Sequence, residues 1–220
     1  MMTLLTRPWL CVAGEMQAEF APIEDNPELP RVLLIGDSIS VGYTLPVREM
    51  LAGEANVHRA CENCGATSRG VERVDAWIAD GPWDVIHFNF GLHDLKIMED
   101  GNHQVPIEQY EENLEQIVAK LQQTGAEVIW ASTTPVPEGV GGPKRDPEDV
   151  TRYNGVAEAV MHAHRIPVDD LYEFALPQLE KIQMPKNVHF TPEGSKVLAR
   201  QVVAAIRGAL MPLRTAGGTP

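Results

Sequence analysis

One short apolar run ends in a glycine and a serine, and it constrains this chain more than any other stretch: Val32-Leu33-Leu34-Ile35-Gly36-Asp37-Ser38. Four aliphatic residues in a row, with no polar alternation, read as a strand buried on both faces, the habit of parallel sheets. Gly36 permits a sharp turn at the end of that strand. A serine placed there, with a helix to follow, falls outside the carboxyl end of a strand, where open α/β sheets gather their reactive groups.

The rest of the chain repeats this unit. Strands are expected at 31–35, 56–59, 84–90, 127–132 and 167–169, and helices at 40–52, 71–79, 107–124, 147–164, 175–182 and 191–210. Ile107, Tyr110, Leu114, Ile117, Val118 and Leu121 recur at helical spacing, and Gly125 ends that segment. Thr191-Pro192-Glu193-Gly194 has the form of a helix start, with Thr191 as cap and Pro192 at the first position. The alternation predicts one α/β domain over 31–212, a three-layer α/β/α sandwich with a central, mainly parallel five-stranded sheet. Residues 1–30 read as an extended N-terminal arm or a remnant leader. The stretch from Met1 to Gly14 is mildly apolar but broken by Arg7 and Pro8, and residues 213–220 read as a flexible tail.

Charge and composition exclude several classes. The formal net charge is −13, which opposes nucleic acid and anionic membranes as partners. No run reaches the ~18 apolar residues of a membrane span, so no membrane insertion is expected. The cysteines are Cys11, Cys61 and Cys64. Cys61-Glu62-Asn63-Cys64 has no second pair and no histidine cluster beside it, so no metal site is expected. Its thiols are free, or form a local disulfide if the protein is exported. The compartment, cytoplasmic or secreted, and the oligomeric state are not legible.

Polar groups recur at the ends of the expected strands. Ser38 follows the first strand, at a helix start where backbone N–H groups favour developing negative charge. Asn63-Cys64-Gly65-Ala66-Thr67 follows the second, with Gly65 able to point its N–H at a ligand. Gly91-Leu92-His93-Asp94 follows the third, offering His93 as a hydrogen-bond donor and Asp94 as a brace or turn residue. His189 lies just before the last helix. An early nucleophile and a late base fit acyl transfer. Two long irregular stretches, 92–106 and 135–146, are expected to border the crevice; Gly139, Gly141 and Gly142 make the second either a lid or a passive loop.

This ordered set resembles the SGNH hydrolase superfamily, also called GDSL-type esterases, over about 31–210. The resemblance implies the flavodoxin-like SGNH fold and a serine esterase that needs no cofactor. It implies Ser38 as nucleophile, His189 as base, Gly65 and His93 as oxyanion-hole donors, and Asp37 and Asp94 as supporting residues. Two positions depart from the pattern. His93 replaces the third-block asparagine. Lys186 occupies the place of the acid three residues before the histidine, which leaves Asp169, Asp170, Glu173, Glu193 or a backbone carbonyl to orient His189.

Gly65-Ala66-Thr67-Ser68-Arg69 resembles the second block of pectin-type acetylesterases. The implied substrate is a small-molecule or carbohydrate ester with a short acyl group, an O-acetylated sugar foremost. Trp77, Trp83 and Trp130 fall on expected helices or strands and read as core residues rather than sugar platforms. Lys186 also motivates an alternative: a catalytically degenerate protein of this fold that binds a glycan or acyl ligand without turnover.

Overall fold

A computed structural model describes residues 17–216; the start of the expected arm, 1–16, and the end of the expected tail, 217–220, lie outside them. Strands β1 (Arg31–Ile35), β2 (Asn56–Arg59), β3 (Val85–Phe88), β4 (Glu127–Ala131) and β5 (Val168–Asp169) form one sheet in the order β2-β1-β3-β4-β5. Every pairing is parallel. All four residues of β3 are buried, as are the last four of β1 and of β4. Strands buried on both faces need helices on both, and these supply them. Helices α1 (Ser38–Met50), α2 (Thr67–Ile78), α3 (Ile107–Gln123), α4 (Pro147–His164), α5 (Leu171–Ala175), α6 (Leu179–Ile182) and α7 (Pro192–Ala216) follow in order. Helix α1 packs on α7, while α3 packs between α2 and α4.

The α3 stripe behaves as its spacing predicts: Tyr110, Leu114, Ile117, Val118 and Leu121 are buried and Ile107 packs against the core. Trp77, Trp83 and Trp130 are core residues. Burial of each such side chain contributes about 1.5–3 kcal/mol, and this stripe fixes the face that α3 turns inward.

The differences from the expected elements have local causes. Helix α1 starts at Ser38 because Asp37 caps it, its carboxylate accepting from the Ile39 N–H at 2.9 Å. The helix expected at 175–182 is instead α5, a 3-10 turn (Leu176–Gln178) and α6. Pro177 has no N–H to continue a helix, and Asp170 caps the earlier start through the Glu173 N–H. Helix α7 begins at Pro192, with the Thr191 hydroxyl accepting from the Gly194 N–H at 3.0 Å, and runs to Ala216.

Residues 17–30 lie along the β2 edge. Arg48 donates to the carbonyls of Ala18 and Ala21, Asn56 donates to those of Asn26 and Leu29, and Asp25 accepts from Arg31 and contacts His58. The strand order reverses at β1, which has β2 on one side and β3 on the other. That reversal opens a crevice at the carboxyl ends of β1 and β3.

Candidate active site

Ser38 is delivered to this crevice by a tight turn. A Cβ at Gly36 would lie 2.8 Å from Ser40 Oγ, so any larger residue there would have to displace the Ser40 hydroxyl. The Gly36 carbonyl accepts from the Cys64 N–H and from Arg59, whose guanidinium also donates to the Ser40 and Thr44 hydroxyls. Buried Arg59 thereby locks the turn that presents the Ser38 hydroxyl. As the first residue of α1, Ser38 has a backbone N–H with no acceptor within its own helix.

His189 comes from the segment between α6 and α7. The Met184 N–H donates to the His189 carbonyl at 2.9 Å, and the Gln183 side chain donates to the carbonyls of Pro135 and Val188. The Thr191 N–H donates to the Ile182 carbonyl at 2.9 Å, and a Cβ at Gly194 would lie only 2.0 Å from that same oxygen. This close backbone approach fixes the histidine loop against the start of α7.

The loop brings His189 Nε2 to 2.9 Å from Ser38 Oγ, across 151 residues of sequence. The other ring nitrogen, Nδ1, lies 2.8 Å from Asn187 Oδ1, which also accepts the His189 backbone N–H at 3.0 Å. Two contacts to one amide oxygen identify it as the acceptor. Nδ1 therefore carries the proton, and the Nε2 lone pair faces the serine hydroxyl.

Three of the carboxylates expected to replace the missing acid are committed elsewhere. Asp169 is fully buried against His87 at 2.9 Å and accepts from Gln201 at 2.9 Å. Asp170 caps α5 and accepts from the Ser132 hydroxyl at 2.8 Å, while Glu193 pairs with Lys196. The Asn187 amide takes the place on Nδ1 instead. Sequence reasoning passed over it because the family spacing points to Lys186. Lys186 itself is exposed and adopts a left-handed backbone (φ 52°) that turns the chain just before Asn187.

His93 lies at the carboxyl end of β3, after Gly91, whose φ of 144° and close approach to the Thr133 hydroxyl exclude a side chain. Lys96 Nζ lies 2.9 Å from His93 Nδ1. A lysine ammonium only donates, so Nδ1 accepts and Nε2 carries the proton. Burial pushes His93 below the usual histidine range; nearby Asp37 opposes this, while Lys96, Arg145 and His189 add to it. His93 is thus a neutral N–H donor at neutral pH. A Cβ at Gly65 would lie 3.9 Å from His93 Nδ1, so these two expected donors are neighbours. The Gly65 N–H, expected to point into the site, donates to Asn63 Oδ1 at 3.0 Å because Asn63 and Gly65 close a short side-chain-to-backbone turn.

Asp37 caps α1, the helix that Ser38 opens. Asp94 is buried and accepts from both the Thr67 N–H (2.8 Å) and the Thr67 hydroxyl (2.5 Å), which ties the third strand's loop to the start of α2. Burial pushes its carboxyl up to about 7 despite those bonds. One carboxylate oxygen of Asp37 and one of Asp94 are buried without a hydrogen-bond partner among the described residues.

Glu62 fixes the second loop, accepting from Trp77, Arg73 and Arg69. Cys61 and Cys64 are unbonded to each other, and burial raises the Cys64 thiol to about 12. Among the described residues, no cluster of three or more His, Cys, Asp or Glu side chains could hold a metal ion, and no helix is long and apolar enough to cross a membrane. A cavity of about 380 Å³ lined by Ile129, Val168, Ala205 and Ala209 lies at the opposite end of the sheet, away from these groups.

The GDSL-like Lipase/Acylhydrolase family matches residues 34–197. The chain belongs to this family. As a GDSL-like member of the SGNH superfamily, it is a carboxylic ester hydrolase with the α/β fold of that group.

Solved structures agree. A lipase/acylhydrolase from Enterococcus faecalis is 25% identical, with a TM-score of 0.71 over 81% of this chain and 96% of its own. The acetyl xylan esterase AlAXEase is 15% identical, with a TM-score of 0.69 over 80% of this chain and 99% of its own. TesA is 18% identical, with a TM-score of 0.60 over 83% and 99%. The last two show the shared fold. No curated protein sequence matches the chain.

Proposed function

We propose that this GDSL-like hydrolase removes short acyl groups, acetyl foremost, from carbohydrate esters through an acyl-enzyme formed on Ser38. The 2.9 Å contact between Ser38 Oγ and His189 Nε2 carries this reading. His189 takes the hydroxyl proton as Ser38 attacks the ester carbonyl, then returns it to the departing alcohol. Asn187 holds the imidazole in the required tautomer, the part an asparagine plays in Cys-His-Asn sites.

The oxyanion forms against the Ser38 N–H at the start of α1 and against His93 Nε2–H. The Gly65 N–H joins them by exchanging exposed Asn63 Oδ1 for the developing charge. Donors aimed at an oxyanion are each worth about 10²–10³ in rate. Water then repeats the sequence on the acyl-enzyme, with His189 as its base. None of these steps calls on a metal or an organic cofactor.

The acetyl preference is supported by the second-loop sequence from Gly65 to Arg69 and agrees with the printed activity of the acetyl xylan esterase neighbour. The test is hydrolysis of p-nitrophenyl esters of two to eight acyl carbons and release of acetate from acetylated glycans. Ser38→Ala and His189→Ala are run in parallel. The expected result is turnover that falls with acyl length and is lost in both variants. Wild-type rates equal to those of the variants would leave ligand binding without turnover as the function.

A further inference from the structure

We infer that the site selects esters whose alcohol part carries an anionic group, a carboxylate or a phosphate, held by Lys96 and Arg145. This rests on the hydrolase reading above and specifies its substrate. Both side chains reach the site through the His93 loop. Arg145 Nε donates to the Leu92 carbonyl at 2.8 Å, and Lys96 Nζ donates to His93 Nδ1 at 2.9 Å.

What distinguishes them is a charge without an ion pair beside His93; among the described residues Arg59 is also buried without one, but it spends its donors on the carbonyls of Gly36 and Ala60 and the hydroxyls of Ser40 and Thr44. Arg31, Arg69, Lys120, Arg152, Lys196 and Arg207 each pair with a carboxylate. Among the described residues, neither Lys96 nor Arg145 forms an ion pair. Acidic residues outnumber basic ones 31 to 18 in this chain, so partners were abundant. Arg145 is only 8% exposed, and a buried cation without an anion is a costly arrangement. Buried Arg145 and half-buried Lys96, on adjoining loops beside the candidate oxyanion donor, form a place that an incoming anion would complete.

The surrounding charges agree. Burial pushes Lys96 below its ordinary range, and Arg145 adds to that push; Asp37 and Asp94 oppose it only through space. Burial likewise lowers Arg145, with Asp37 opposing. Asp94 spends one oxygen on Thr67, and burial raises its carboxyl to about 7, so at neutral pH it balances only part of the positive charge. Arg145 uses two of its nitrogens on the carbonyls of Leu92 and Pro143, and a guanidinium has five N–H donors. An acetyl group has no room for a charge, which places the anion on the alcohol.

The test uses three acetyl esters with one ring geometry: 3-acetoxybenzoate, 3-acetoxyphenyl phosphate and neutral 3-acetoxybenzamide. Each kcat/KM is divided by that ester's uncatalysed hydrolysis rate. At least one anion is expected to exceed the amide by about tenfold, the weight of one charge-assisted contact, and whichever does so separates carboxylate from phosphate. Lys96→Gln keeps an N–H donor for His93 but removes the charge. It and Arg145→Gln should each bring the ratio toward one.

A damaged fold or a displaced His93 lowers all three rates together, so the ratio isolates anion recognition, and Lys96→Gln carries the test if Arg145→Gln does not fold. Ser38-dependent turnover with all three esters equal, or a preference that survives both substitutions, would overturn the inference and leave the hydrolase reading standing. No Ser38-dependent turnover of any ester would overturn both.

Discussion

Asn187 Oδ1 accepts the Nδ1–H of His189 at 2.8 Å, and the same oxygen accepts the His189 backbone N–H. The imidazole is therefore held by a neutral amide anchored to the residue it orients. In the proposed mechanism an acceptor without charge fixes the tautomer but stabilises the imidazolium less than a carboxylate would.

Asn187 substitutions separate those two contributions. Asn187→Ala removes the acceptor and is expected to lower kcat about 10- to 100-fold, short of the ~10⁴ that a wrong tautomer costs a Ser-His-Asp site. Asn187→Asp keeps the acceptor and adds charge. It is expected to raise kcat and to move the acidic limb of the pH–rate profile to higher pH, because a carboxylate favours the charged imidazole. Profiles of kcat/KM for the three proteins check this; superimposable profiles for wild type and Asn187→Asp would contradict it.

His93 is expected to act as a neutral donor. His93→Ala should lower kcat by about 10²–10³ while KM changes little, the behaviour of a donor engaged only at the oxyanion. His93→Asn retains an N–H and should recover part of the loss. Because burial holds His93 below the ordinary histidine range, it gains no charge on approaching neutral pH from above. Its removal should therefore lower the profile around neutrality without reshaping it, which full pH profiles of both variants would reveal.

Asp94 links the site to stability. Its carboxyl is raised from 3.8 to about 7 in the folded protein, chiefly by burial. Between those values the native state holds a proton that the unfolded chain has released, so the contribution is full below pH ~4 and is lost as pH rises through about 7. Asp94→Asn retains an acceptor for Thr67 and cannot ionise. Wild-type Tm minus variant Tm should fall steadily from pH 4 to pH 7 and level off above. Parallel Tm curves would show that Asp94 keeps an ordinary carboxyl.

Local signals made most of the fold legible. An unbroken aliphatic run marked β1, the α3 stripe marked its buried face, and Thr191-Pro192 marked the start of α7. Ser38 stood out in the sequence as the residue that follows a strand and opens a helix, and His189 as the histidine shortly before the last helix.

What stayed hidden depends on contacts remote in sequence or on one backbone angle. Asp169 ends a short strand and reads as a free carboxylate, yet His87, 82 residues away, takes it into the core. Asn187 came to attention only once the left-handed turn at Lys186 placed its amide under the ring. Lys96 is three residues from His93, but its contact with Nδ1 depends on how the loop after β3 folds back. Likewise, the Asn63 turn that engages the Gly65 N–H is a side-chain geometry that the residue order alone does not announce.

The most direct test of the Ser38–His189–Asn187 site is labelling with a fluorophosphonate probe, followed by mass spectrometry of the modified peptide. The reagent needs a nucleophilic serine beside a base and does not depend on knowing the natural ester. The predicted result is a single adduct on Ser38, lost in Ser38→Ala, strongly slowed in His189→Ala and slowed less in Asn187→Ala. An unlabelled Ser38 in folded wild-type protein, or labelling at the same rate without His189, would contradict the mechanism built on the 2.9 Å contact between them.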